Sequence, residues 1–479
     1  MKSSCSPFLS FFLFVFLWLI YVNTVFGEGG SIDKSNGNST NDHRSTSSSE
    51  PTLAMHDVSY KDTFLTSSSS LDELPNTMDK EPRKIFLLSL SGGGFRGIIH
   101  AYALSRLETL FGTSVINIFN GVSGTSTGAL VAFGIGIPDP EKPGVPLYSA
   151  NDVLKLYLDE RERIFQKPGM SQRFWSAKGF LGPKYSIIGM EASFKDSYKS
   201  YRMSDLLIPT FVPAVEVLQG NGAKIFSSTK ARHNDAKDYL IWQVARATTA
   251  APSFFESKEM HDDASGNDQE SILNFWDGGL FAHNPAEIAL IEGQKMFPDK
   301  GLKDFILLSI GTGEEKCKIN QEMTQTMGYG NGGAQIFKAT MAAQNSWVHK
   351  KLKKQLKSNY IRLDVNLDEE GVELDNITTD YIEKLYFATE KMLDEATEQM
   401  LHLKDVWEIQ KGKKKSNYDL FSALQLFISN RYSIPLENKK AIHTIYQEYC
   451  EEHQLNCGHP KDIKKVIRHM SRSSIDAAD

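Results

Sequence analysis

Three short stretches carry residues able to do chemistry together. Residues 124–128 read Gly-Thr-Ser-Thr-Gly, a G-x-S-x-G with Ser126 at its centre. Glycines flanking a serine on a strand-to-helix turn let the backbone bend sharply and project the hydroxyl, the geometry a serine nucleophile needs. Residues 91–97, SGGGFRG, contain Gly92, Gly93 and Gly94, whose amides are suited to holding a negative oxygen. Asp277 closes the apolar run ILNFW and opens a D-G-G with Gly278 and Gly279. An aspartate shielded by Phe275 and Trp276 is a better base than one in water, because desolvation raises its pKa. Nucleophile, base and oxyanion donors together make nucleophilic acyl transfer. The plainer alternatives are a glycine-rich turn with an idle serine, and an aspartate that only orders its own turn.

Gly92, Gly94 and Gly97 also satisfy G-x-G-x-x-G, the spacing of a dinucleotide-binding turn. That use needs an acidic residue about 20 positions on, at the end of the next strand, to hold the ribose hydroxyls. No Asp or Glu lies between Glu108 and Asp139, so the dinucleotide reading fails there. A triad of the α/β-hydrolase kind fits poorly as well. Its elbow follows several strands, whereas this one follows the second, and His349, His402 and His443 read as helix-surface residues rather than a third member.

Positioning these groups falls to an alternation of β-rich runs and helical patterns that begins at Lys84. Strands are expected at 84–90, 115–122, 208–217, 223–228, 272–276 and 304–310. Ile99, Ala103, Leu107 and Leu110 share one helical face after the glycines, and a small-residue helix leaves the elbow from Ala129 to Gly134. Leu385, Met392, Ala396, Met400 and Leu403 keep helical spacing from about 380 to 403. Such alternation implies an α/β fold with a mainly parallel sheet covered on both faces. Two neighbouring first strands would set the glycine loop beside the elbow.

Composition bounds the rest. The 479 residues are 41% hydrophobic and 23% charged, as in ordinary folded proteins, and a net charge of −6 argues against a nucleic-acid partner. Cys5, Cys317, Cys450 and Cys457 form no disulfide framework, and whether Cys450 and Cys457 pair is open. Lys2 precedes an apolar run of 15 residues from Phe8 to Val22, and Val25 and Gly27 suit a cut before Glu28. Residues 1–27 therefore read as a secretory signal, since the run falls short of the roughly 20 residues needed to span a bilayer. An uncleaved membrane anchor is the alternative. Residues 28–82, rich in Ser and Asn, read as a disordered linker. A catalytic core is expected over 83–314, a largely helical remainder over 315–403, and a polar helical tail over 404–479 with KGKKK at 411–415.

In order, SGGGFRG (91–97), GTSTG (124–128) and DGG (277–279) resemble the patatin-like phospholipase family. ARATTAAPSFF (245–255) and LLSIGTGE (307–314) are similar to its flanking segments, and the likeness covers about 84 to 314, weakening to about 365. The resemblance implies a three-layer α/β/α fold and a Ser–Asp dyad that hydrolyses acyl esters of phospholipids and other lipids, with no catalytic metal and no cofactor. Carried over, Ser126 is the nucleophile, Asp277 the general base, and Gly92, Gly93 and Gly94 the oxyanion hole. Gly97, Gly124, Gly128, Gly278 and Gly279 complete the motifs. Arg96 matches a basic position in the glycine loop, where it would attract a lipid phosphate or make a structural salt bridge. His283 stands where the family usually has asparagine. The implied partner is a lipid substrate at a membrane or micelle surface, with a storage or lipid-binding protein as the alternative.

Overall fold

The computed structural model describes residues 83–168, 182–262, 271–313, 329–367, 374–412, 444–448 and 451. Residues 1–82, for which a secretory signal and a linker are expected, Lys413 to Lys415 of the basic run, His443 and all four cysteines lie outside the described residues.

Strand β1 (Ile85–Leu90) is IFLLSL, and all six of its residues are buried. The twofold alternation of a strand sends its side chains to two different cores. Phe86, Leu88 and Leu90 pack with Ile98, Leu104 and Leu107 of helix α1 (Ile98–Phe111). Ile85 and Leu87 pack against a second set of helices on the opposite face. The sheet is therefore the middle of three layers. Strand β2 (Gly121–Gly124) runs beside β1 and feeds helix α2 (Thr127–Gly136). A small antiparallel pair, β3 (Pro138–Asp139) and β4 (Lys142–Pro146), leads to α3 (Ala150–Ile164) and α4 (Ile187–Tyr198).

Beyond these come β5 (Thr210–Glu216), β6 (Gly222–Ser227), α5 (Ile241–Thr248), β7 (Lys258–Asp262) and β8 (Ser271–Asp277). The chain continues through α6 (Ala286–Met296), β9 (Phe305–Ile310), α7 (Tyr329–Leu356), β10 (Tyr360–Leu363), α8 (Thr379–Glu395) and α9 (Thr397–Gln410). The sheet order is β10-β9-β1-β2-β5-β8-β7, with β6 also on β5. From β10 to β5 every neighbour is parallel, while β6, β8 and β7 pair antiparallel. The sheet is thus mixed and mostly parallel, in an α/β fold with helices on both faces.

One feature of register builds the site. Because β6 occupies one edge of β5 along residues 211–216, β2 and β8 must share the other. They approach along it from opposite directions. Ser123 of β2 lies opposite Phe211, so three residues further on the chain at Ser126 comes level with Ala214. Ala214 is the residue that faces Asp277, the last of β8. Two strands running head-on along β5 therefore deliver Ser126 and Asp277 to the same point.

Several expectations need correction. The run 115–122 is not a strand: Val115–Asn117 forms a 3-10 turn. After α1 ends at Gly112 in the left-handed conformation, Glu108 Oε1 captures the Val115 amide at 3.1 Å and Ser114 accepts the Asn117 amide at 2.9 Å. Local side-chain and turn bonds outcompete the β propensity of Val and Ile there, and only Gly121–Gly124 joins the ladder. KEMHD at β7 and YIRL at β10 are strands that sequence patterning passes over. The helical stretch at 380–403 is two helices that break at Ala396, and its marked residues are all buried. The boundary set at 404 from composition falls inside α9.

The packing of α9 is specific. Trp407 is 7% exposed, its ring lies 5.3 Å from that of Phe111, and its Nε1 donates to the Asn117 carbonyl at 3.3 Å. Trp407→Ala should cost about 3–5 kcal/mol of stability, read from urea denaturation midpoints. A loss below about 1 kcal/mol would show that α9 is not part of the cooperative unit.

Candidate active site

Ser126 sits between β2 and α2 with φ 51° and ψ −121°, outside the regions an L-residue ordinarily occupies. Close packing holds it there. A Cβ placed on Gly128 would stand 2.2 Å from the Leu90 carbonyl oxygen, so only glycine lets the first turn of α2 approach β1 so closely. The Ser126 amide donates to Thr248 Oγ1 at 3.0 Å, and that hydroxyl in turn donates to the Pro213 carbonyl at 2.7 Å. Gly124 sits against the Gly128 carbonyl on the inner side of the same turn. The result raises the Ser126 hydroxyl at the N-terminus of α2, where the helix dipole favours negative charge.

Asp277 is set by the same end of α5 that fixes Ser126. Its amide donates to the Ala250 carbonyl at 3.0 Å, and the Gly278 amide donates to the Thr248 carbonyl at 3.2 Å. The Asp277 carboxylate accepts the Gly279 amide at 2.6 Å, and the Ser126 side chain beside it also favours its charged form. Burial outweighs both influences and pushes its pKa from 3.8 up to about 6. Such a carboxylate is ionised at neutral pH yet holds a proton far better than an aspartate in water.

His283 also lines this pocket. Burial, with the charges of Arg96 and Arg362 behind it, pushes its pKa down to about 3. An imidazole so depressed stays neutral and is the weaker proton acceptor of the two by about three pH units. Sequence reading noted His283 only as a departure from its family, yet its carbonyl accepts the Gly92 amide at 2.9 Å. Of the other histidines, His402 is exposed on α9 and His349 lies against Tyr360, in a recess outside the pocket.

That bond corrects the expected oxyanion donors, because the Gly92 amide is already committed. The next two are differently placed. The Gly92 carbonyl accepts the Thr312 hydroxyl, and the Gly93 carbonyl accepts the Arg96 amide at 3.3 Å and Arg96 Nε at 3.4 Å. In a planar trans peptide the N–H points opposite the C=O. With both carbonyls drawn away, the Gly93 and Gly94 amides face the other way, and among the described residues neither finds an acceptor. Arg96 is buried, 2% exposed, and its visible work is to pin the loop. Thr312, two residues past β9, and Thr248 are positioning residues; both fall within segments quoted for the family likeness, which gave them no role. Gly97 completes the loop where it packs on Thr127 of α2.

Ser126, Asp277 and the glycine loop meet at the mouth of a pocket of about 790 Å³, counting its opening. Its walls are largely apolar, among them Leu130, Tyr157, Ile164, Phe165, Phe254 and Met341. A largely apolar slot that reaches Ser126 suits an acyl chain better than a polar substrate.

A family model described as patatin-like phospholipase matches residues 88–290, a span holding the glycine loop, Ser126 and Asp277. Patatin-like protein 1 of Arabidopsis thaliana is 30% identical over 367 residues, which cover 68% of this chain and 86% of that protein. The chain belongs to the patatin-like phospholipase family. Patatin-like protein 2 of Arabidopsis thaliana is 31% identical over 271 residues, 51% of this chain, and the match spans 64% of that relative's length. A cGAMP-activated phospholipase of Pseudomonas aeruginosa is 28% identical over 283 residues, covering 58% of this chain and 77% of its own. Within this patatin-like frame the two side chains brought together are the serine and the aspartate, with no histidine between them.

The raised Asp277 pKa has a thermodynamic sign. A carboxyl that binds its proton more tightly when folded contributes stability that is full below 3.8 and lost as pH rises through about 6. Asp277→Asn removes the buried charge while keeping its shape. The variant should match wild type in acid and exceed it by on the order of 3 kcal/mol above neutrality. Urea denaturation midpoints across that range should show the gap opening between 3.8 and about 6. A gap that does not change with pH would contradict the shift.

Proposed function

We propose that the protein is a lipid acyl hydrolase that cleaves carboxylic esters of phospholipids or related lipids through an acyl-serine intermediate. The observation that carries this reading is the meeting of the Ser126 side chain and a buried Asp277 in one apolar pocket beside the glycine loop. Asp277 takes the Ser126 proton as Oγ attacks the ester carbonyl, and the carbonyl electrons move onto oxygen. The Gly93 and Gly94 amides stabilise that oxyanion, supported by the N-terminus of α2. Collapse breaks the ester bond, and the departing alkoxide takes the proton from Asp277. The acyl-Ser126 is then attacked by water, whose proton passes to Asp277. The second tetrahedral intermediate expels Ser126, which recovers the proton, and the fatty acid is released.

Each group has one job, so the variants separate. Ser126→Ala should abolish turnover of dispersed phospholipid and labelling by a fluorophosphonate probe. Asp277→Asn should lower kcat about 10²–10⁴-fold. The wild-type rate should rise with pH through about 6, as Asp277 ionises, and then level. Wild-type turnover in either variant would remove the dyad.

A further inference from the structure

A second recess of about 420 Å³, counting its opening to solvent, adjoins the apolar pocket between α2, α3 and α4, and it shares Leu130, Tyr157 and Ile164 with the first. Those three side chains are the partition. The second cavity continues along α2: Leu130 and Gly134 line it, four and eight residues beyond Ser126. At 1.5 Å per residue they stand about 6 Å and about 12 Å from the nucleophile along the helix axis. The two spaces therefore lie in line, leading straight away from Ser126.

The far recess is mostly apolar, with Ser193, Ser197 and Glu160 as polar members of its lining. Val153, Leu156, Phe194 and Tyr198 wall it. Glu160 at its edge is paired with Arg163 at 3.2 Å. Gly134 lacks a side chain where a Cβ would come within 2.6 Å of Val153, which lets α3 close over the cavity. Of the partition residues, Tyr157 is fixed, its hydroxyl bonded to Thr127 Oγ1 at 2.6 Å and to the Thr127 carbonyl at 2.8 Å. Leu130 and Ile164 present only aliphatic side chains to either space.

We propose that this second cavity is a distal acyl subsite. The acyl chain of a long-chain ester passes from Ser126 between Leu130, Tyr157 and Ile164 and ends among Val153, Phe194 and Tyr198. The proposal rests on the hydrolase reading and refines its substrate class: long-chain acyl esters, selected by the depth of the pocket and not by the head group. Each methylene buried there contributes about four-fold to kcat/KM.

Ser193, which is buried, and Ser197 line only the far cavity, so Ser193→Leu and Ser197→Phe fill it from α4. The readout is the ratio of kcat/KM for p-nitrophenyl palmitate to that for p-nitrophenyl butyrate, with Tm reporting folding. Filling should lower the ratio by more than about ten-fold, as two or more methylenes lose their place. Val153→Ala, which deepens the cavity, should move the preference toward longer chains. A ratio unchanged in a variant of wild-type Tm, or an unchanged preference in Val153→Ala, would overturn the subsite. Wild-type protein that cleaves neither ester and takes up no fluorophosphonate would overturn the hydrolase reading instead, and the subsite with it.

Discussion

The strained backbone at Ser126 is the constraint on which the rest of the structure depends. A non-glycine residue at φ 51° and ψ −121° costs about 1–3 kcal/mol and persists only where its surroundings over-determine it. Here the surroundings are specific contacts. The first turn of α2 is pressed against Leu90 through a glycine, and the Ser126 amide is held by the Thr248 hydroxyl. Relaxing the serine into a helical conformation would break the bond to Thr248 and draw the hydroxyl away from Asp277. Stability is given up locally to place one oxygen.

The sheet supplies the meeting point. A purely parallel α/β sheet would bring both strand ends out on the same edge, side by side. In this protein β8 is reversed and lies end-on to β2 along a shared edge of β5, so Ser126 and Asp277 face one another across Ala214. The end of α5 then fastens both, through Thr248 to Ser126 and Gly278, and through Ala250 to Asp277. That arrangement brings the two side chains to one place. The carboxylate is dry enough to act as a base near neutral pH, while the adjacent imidazole of His283 is too depressed to compete.

Much of the candidate site was legible in the sequence, because each motif is local. Glycines at 92–94, 124, 128 and 278–279 announce turns, and the serine and aspartate announce what the turns present. The order of the motifs carried the family resemblance. What stayed hidden was non-local. Thr312 and Arg96 decide which way the glycine-loop peptides point, and the His283 carbonyl removes Gly92 from the donors, yet these bonds join distant segments. The reversal of β8 was unreadable for the same reason: an apolar strand looks alike in either direction. β7 was missed because KEMHD is a charged edge strand, which guards against sheet-to-sheet pairing and so lacks the apolar signature of a buried one. The run at 115–122 failed in the opposite way, since β-branched residues there are drawn into a turn by Glu108 and Ser114.

The convergence of serine, aspartate and two loop amides on one point is tested most directly by a crystal structure of the protein inhibited by a fluorophosphonate. The adduct on Ser126 mimics the tetrahedral intermediate, and its phosphonyl oxygen should lie about 2.7–3.1 Å from both the Gly93 and Gly94 amides. Asp277 should remain in contact with the Ser126 oxygen, and the alkyl arm should run along α2 into the apolar pocket. A phosphonyl oxygen turned away from the glycine loop, or an Asp277 carboxylate swung out of reach of Ser126, would contradict it.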